Sequence, residues 1–132
     1  MRAPVATEPG AELPTRKVGP VTQTDVVRFA GAGGDFNPLH HDPEFARSAG
    51  FSGVLAMGQM HAGMLAAWLT DWAGVEHLRE YEVRFAAPVF LGDTLSFSGQ
   101  VLSVDDGIAE VQLAAVRDED IVLRARAAIN TG

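Results

Sequence analysis

The run Gly33-Gly34-Asp35-Phe36-Asn37-Pro38-Leu39-His40-His41-Asp42-Pro43 gathers carboxylate, imidazole, glycine and proline into one short stretch. Asp35 and His40 stand five positions apart, and Pro38 bends the chain between them, which can bring the two side chains together. A carboxylate and an imidazole facing one water make a general acid/base pair, because each takes or gives a proton near neutral pH. On spacing alone a plainer account also holds: Asp35 and Asn37 cap a turn and the histidines lie at the surface. A second candidate is Gly58, in the first turn of the apolar stretch that begins at Met57. The N–H groups of a helix's first turn have no partner within the helix, and they carry the positive end of its dipole. A glycine there lets a ligand approach them closely and suits an oxyanion such as the enolate of a thioester. Close packing of helix on sheet is the alternative use of Gly58.

Composition narrows the chemistry. Seventeen acids against ten bases give a formal charge of −7, and Lys17 is the one lysine. Neither a nucleic-acid footprint nor a polybasic membrane patch is expected from that balance. With no cysteine there is no thiolate nucleophile, disulfide or cysteine-held metal. His40, His41, Asp42 and His61 are not expected to make a metal site, since adjacent histidines usually point in different directions. His77, just after Gly74, is expected at the surface. Residues Met1 to Pro9 contain no long apolar run, and Val54 to Trp72 is interrupted by Gly58, Gln59, His61, Gly63, Thr70 and Asp71. Neither a secretion signal nor a membrane span is expected, and the cytoplasm is the expected location.

The elements that must position these residues can be read in outline. Residues 1–13, with Pro4, Pro9, Gly10 and scattered acids, are expected as a flexible N-terminal tail ahead of a single domain over 14–132. Thr15 to Val21 reads as a short strand. Thr22 with Asp25 resembles a capping pair that opens a helix on Val26, Val27, Phe29 and Ala30, closed by Gly31, Gly33 and Gly34. Asp42 caps a short helix over Pro43 to Ala49. From Met57 to Trp72, Met57, Met60, Met64, Leu65, Trp68, Leu69 and Trp72 fall at helical spacing, and Gly74 closes the helix. Ala62, Gly63, Ala66 and Ala67 would let almost every face of it be buried. Alternation then predicts strands over Glu80 to Phe85, Leu95 to Val101, Ala109 to Leu113 and Ile121 to Ala125, with a hairpin turn at Asp105-Asp106-Gly107. The fold class is α+β: one antiparallel sheet wrapped around one long central helix.

Gly34-Asp35-Phe36-Asn37-Pro38-Leu39-His40, then Ala49-Gly50-Phe51 and Ala56-Met57-Gly58, resemble the hydratase motif of the MaoC-like dehydratases, which include the (R)-specific enoyl-CoA hydratases. The stretch from Val83 to Leu95, with its Gly92-Asp93-Thr94, is similar to a later segment of that family. The resemblance implies a hot-dog fold and reversible hydration of trans-2-enoyl thioesters, carried by coenzyme A or an acyl carrier, to (R)-3-hydroxyacyl thioesters. It implies that Asp35 and His40 activate the water and pass the proton, that Asn37 braces the loop and bonds within the site, and that the Gly58 N–H polarises the thioester carbonyl. It implies no cofactor.

Many relatives carry His-Gly where this chain has Met57-Gly58. The glycine backbone is unaffected by that departure, but Met57, with Met60 and Met64, reshapes the acyl pocket. His61 is expected as a pocket-lining or core histidine, and Arg84 as a ligand for coenzyme A phosphate or an exposed sheet residue. An exposed sheet edge is expected to pair with a second chain, giving a homodimer or a hetero-oligomer with another hot-dog subunit. The competing functional classes are the catalytic subunit of a heteromeric hydratase, acting for example on polyketide or sterol side-chain thioesters, and a hot-dog thioesterase or acyl-binding module.

Overall fold

The structure is a computed structural model that describes residues 1–132. Thr22 accepts a hydrogen bond from the Asp25 N–H at 3.1 Å, and the Asp25 carboxylate accepts one from the Thr22 N–H at 3.0 Å. This reciprocal cap starts helix α1, Gln23–Gly33, and Gly34 ends it in the left-handed conformation at φ 72°. After a 3₁₀ turn at Pro38–His40, Asp42 accepts from the Glu44 and Phe45 N–H groups and starts α2, Pro43–Ser48. Helix α3 runs Gly58–Ala73, and strand β1, Arg16–Val18, lies ahead of all three helices.

The second half is strand after strand: β2 Leu78–Phe85, β3 Leu95–Asp105, β4 Ile108–Arg117 and β5 Asp120–Asn130. All pairings are antiparallel, and the sheet order is β1-β3-β4-β5-β2. Asp106 and Gly107, both at positive φ, make the two-residue β3–β4 hairpin expected there. The strands exceed the alternating stretches read from the sequence because pairing continues past the apolar positions, as at Arg117 opposite Asp120.

The inner face of the sheet and α3 share one core, in which Leu65, Leu69, Phe97, Leu113 and Ile129 are fully buried. Gly99 makes room for the helix: a Cβ there would lie 2.7 Å from Leu113 and 3.3 Å from the Trp68 ring. Trp68 packs tilted on Phe97 at 5.9 Å and donates its indole N–H to the Pro14 carbonyl. Tyr81 ties β2 to α3 by donating its hydroxyl to the Ala62 carbonyl at 2.7 Å.

Three expectations need correction. Residues 1–13 do not hang free: Gly10 and Leu13 donate to the Val101 and Gly99 carbonyls of β3, Leu13 enters the core, and Val5 bridges Thr131. The segment therefore continues the β1 edge, satisfying backbone groups of β3 that β1 is too short to reach. α3 is not buried all round, because Gly63, Met64, Ala67 and Asp71 form an open stripe. His77 is buried at 6% exposure, its Nε2 donating to the Arg2 carbonyl at 2.7 Å. The Arg2 guanidinium in turn caps the Asp71 and Trp72 carbonyls at the end of α3. The strand order leaves two edge strands, the three-residue β1 and the eight-residue β2.

Candidate active site

The loop between α1 and α2 brings Asp35 and His40 together. Asn37 accepts from the Leu39 N–H at 3.0 Å, Pro38 starts the 3₁₀ turn, and Asp35 Oδ1 accepts from the Asn37 N–H at 3.3 Å. These local bonds fold the loop so that His40 Nε2 lies 3.2 Å from Asp35 Oδ2. His40 Nδ1 is 2.8 Å from the Leu55 carbonyl, which can only accept, so Nδ1 carries a proton. In the neutral imidazole, Nε2 is then the basic nitrogen, and it faces the carboxylate. Gln23 donates to the His40 carbonyl and Leu55 donates to the Leu39 carbonyl, fastening the turn to α1 on one side and to the approach to α3 on the other. The His40 side chain is 11% exposed and the Asp35 side chain 48%, so the pair opens outward through the carboxylate.

The start of α3 is the second half of the site. Met57 occupies the cap position with an apolar side chain that makes no capping bond, so the first N–H groups of the helix, Gly58 among them, have no side-chain acceptor. Ala56 donates to the Val89 carbonyl at 2.8 Å, which anchors the approach to the helix. Arg117 holds the Val89 segment in place by bonding the Pro88 carbonyl at 2.9 Å and Asp93 at 2.8 Å. The Phe85 ring lies flush on Gly58: a Cβ at that position would stand 2.6 Å from the ring. Between these parts opens a mainly apolar cleft of about 450 Å³, lined by Leu55 to Gln59, His61, Phe85 to Val89, Val122 and Leu123. Asp35 and His40 are not in its lining. The loop that carries them meets its wall through the two hydrogen bonds at Leu55.

Of the residues singled out from the sequence, Met57, Gly58 and His61 meet in this cleft. Met60 faces a second cavity of about 500 Å³ on the α1 side, together with Met64 and again His61. Asn37 braces the turn through Leu39 and makes no contact with the cleft. Arg84 is not brought to the site. Strand alternation turns Phe85 to Gly58 and leaves Arg84 opposite Arg124, lining a separate depression with Arg126.

His61 is 2% exposed, and neither ring nitrogen has a hydrogen-bond partner. Burial pushes its pKa below the ordinary 6.5, against the opposing pull of Asp93 and Asp25. Sequence reasoning missed the Leu55 carbonyl and the Phe85 ring. A backbone carbonyl leaves no trace in side-chain identity, and Phe85 carried only the signal of a strand residue. No three His, Asp or Glu side chains converge as a metal site.

An antiparallel sheet packed on one long central helix defines the hot-dog class of folds. The sequence model of the family described as MaoC like domain matches residues 4–122, and the chain belongs to that family. It is 33% identical over 105 residues to the 3-oxo-4,17-pregnadiene-20-carboxyl-CoA hydratase beta subunit of Mycobacterium tuberculosis, covering 79% of this chain and 81% of that protein. To the (R)-specific enoyl-CoA hydratase of Aeromonas caviae it is 30% identical over 95 residues, covering 72% of this chain and 63% of that one. Among solved structures, the ChsH1-ChsH2 complex from Mycobacterium tuberculosis contains a chain that superposes with a TM-score of 0.85 at 28% identity, with 96% of this chain and 99% of that one covered.

Proposed function

We propose that this chain adds water reversibly across the 2,3 double bond of a trans-2-enoyl thioester to give the (R)-3-hydroxyacyl thioester, with Asp35 and His40 as its acid/base pair. Membership of the family makes it a hydratase or dehydratase, hence a hydro-lyase. The observation that carries the residue roles is the pairing itself. Nδ1 of His40 is committed to Leu55, so Nε2 is left as the base, 3.2 Å from Asp35 Oδ2.

In the hydration direction, a water beside the pair, within hydrogen-bond reach of both Nε2 and the carboxylate, loses a proton to it as its oxygen bonds to C3. The electrons of the double bond move into the thioester, and the enolate oxygen is held by the N–H of Gly58. The proton passes from the pair to C2, which restores the carbonyl. Water and proton come from one pair, so they reach the same face of the substrate. Asn37 keeps Asp35 and His40 in register by fixing the turn. The carrier of the acyl group, coenzyme A or an acyl carrier, extends out of the cleft toward solvent.

The site is open on a single chain, and this favours a working unit of two hot-dog subunits. Phe36 and Phe85 are 69% and 53% exposed beside the pair and the cleft, and β2, the longer edge strand, ends at Phe85. A second chain along β2 would cover these rings and wall the cleft. Whether that chain is a copy or a different subunit is decided by activity of the purified chain alone or only with a co-expressed hot-dog partner.

The purified protein, with such a partner if one is required, should deplete the ultraviolet absorbance of trans-2-enoyl-CoA without releasing free thiol. Release of free coenzyme A without hydration would instead assign a thioesterase.

A further inference from the structure

Three buried side-chain atoms in the chain have no hydrogen-bond partner: Thr131 Oγ1 and both ring nitrogens of His61. The other buried histidine, His77, is satisfied by the Arg2 carbonyl, so the fold does supply partners to an imidazole that it needs only for structure. An unpartnered buried nitrogen is destabilising, and a leucine at this place would fill the space without that penalty. His61 also stands at a boundary. It is common to the lining of the cleft below Gly58 and of the second cavity beside Met60 and Met64. It follows Gly58 by three residues, which puts both on the same side of α3, about one turn apart. Side chains on a helix lean toward its N-terminus, so the ring lies over the turn that holds the thioester carbonyl.

We infer that His61 is a specificity-determining residue that reads a hydrogen-bonding oxygen on the acyl group, beyond the reacting double bond. The preferred substrates are thus enoyl thioesters bearing a hydroxyl or keto group, not plain hydrocarbon chains. This rests on the hydratase reading above. A neutral imidazole offers one donor and one acceptor on different edges of the ring: a hydroxyl can engage either nitrogen, donating or accepting, whereas a keto oxygen can only accept from the protonated one. Burial keeps the ring in that neutral form. Otherwise the cleft presents almost entirely apolar side chains, Gln59 at its exposed rim being the exception, so one buried polar contact decides between an oxygen and a methyl. The unbranched Met60 and Met64 border the ring on the second cavity and yield as the acyl group moves in.

The test is a matched series of trans-2-enoyl-CoA thioesters in which a hydroxyl replaces a methyl at C4, C5 or C6. The wild type should favour at least one hydroxylated member over its methyl counterpart by ~10-fold or more in kcat/KM. His61→Leu should bring that ratio within each pair close to one, whatever its rate on the methyl members, and His61→Gln, which retains a donor and an acceptor, should keep much of it. Equal rates within every pair for the wild type, or a preference that survives His61→Leu, would overturn the inference; in the latter case the ring's partner is solvent. Failure to hydrate any member, crotonyl-CoA included, would sink the hydratase reading and this inference with it.

Discussion

His40 sits on a loop whose polar groups are answered close by. Its Nδ1 is held by Leu55, its carbonyl by Gln23, and its Nε2 faces Asp35. His61 sits in the first turns of α3, deeper than His40, and neither of its nitrogens is answered at all. The same side chain is thus given a fixed tautomer and a solvent-facing carboxylate in one region, and a buried setting without a protein partner in the other. The first arrangement suits the proposed proton transfer to and from a water. The second prepares recognition of something that arrives with the substrate. Between them lies the Gly58 end of α3, which contributes backbone alone.

The largest effect should come from breaking the loop half. Asp35→Asn and His40→Ala should each lower hydration at least ~10²-fold, read as the rate of loss of enoyl absorbance. Gly58→Ala comes next: its Cβ would stand 2.6 Å from the Phe85 ring, so ring or helix must shift, and kcat/KM should fall ~10-fold or more. Phe85→Ala in the same chain should restore part of that loss, which separates displacement of the ring from damage to the helix. Tyr81→Phe removes the bond to the Ala62 carbonyl that seats β2 on α3, and should cost about 1 kcal/mol in urea denaturation without changing the pH profile of activity.

The smallest effect lies in pH dependence. Burial holds the His61 pKa below 6.5, so as pH falls through that value the unfolded chain takes up a proton that the folded chain refuses. Stability contributed by the neutral ring is complete above the unfolded value and is lost as pH falls below it. The urea midpoint of the wild type should therefore drop further than that of His61→Leu between about pH 7 and pH 5.

The two regions also differ in how far the sequence discloses them. The loop was legible because its signals are local: Asp35, Asn37, Pro38 and His40 fold among themselves, and Thr22 with Asp25 and Asp42 before Pro43 state their own caps. The helix start was legible as an apolar period ended by Gly74, but the state of His61 was not, because whether a histidine finds a partner depends on what packs over it from other elements. Distance along the chain accounts for the other differences. His77 is buried by Arg2, and residues 1–13 are held by Gly99 and Val101, partners too remote for any local pattern to announce. The open stripe of Gly63, Met64 and Ala67 on α3 shows the reverse case: apolar and small residues were read as interior, and on a single chain they face outward.

In the proposed reaction Asp35 and His40, 3.2 Å apart, serve one water and one proton from one side of the substrate. Hydration of crotonyl-CoA in heavy water, followed by magnetic resonance of the product, tests it most directly. The expected product is (R)-3-hydroxybutyryl-CoA with a single deuterium at C2, on the same face as the new hydroxyl. A product of S configuration, or deuterium on the opposite face, would contradict it.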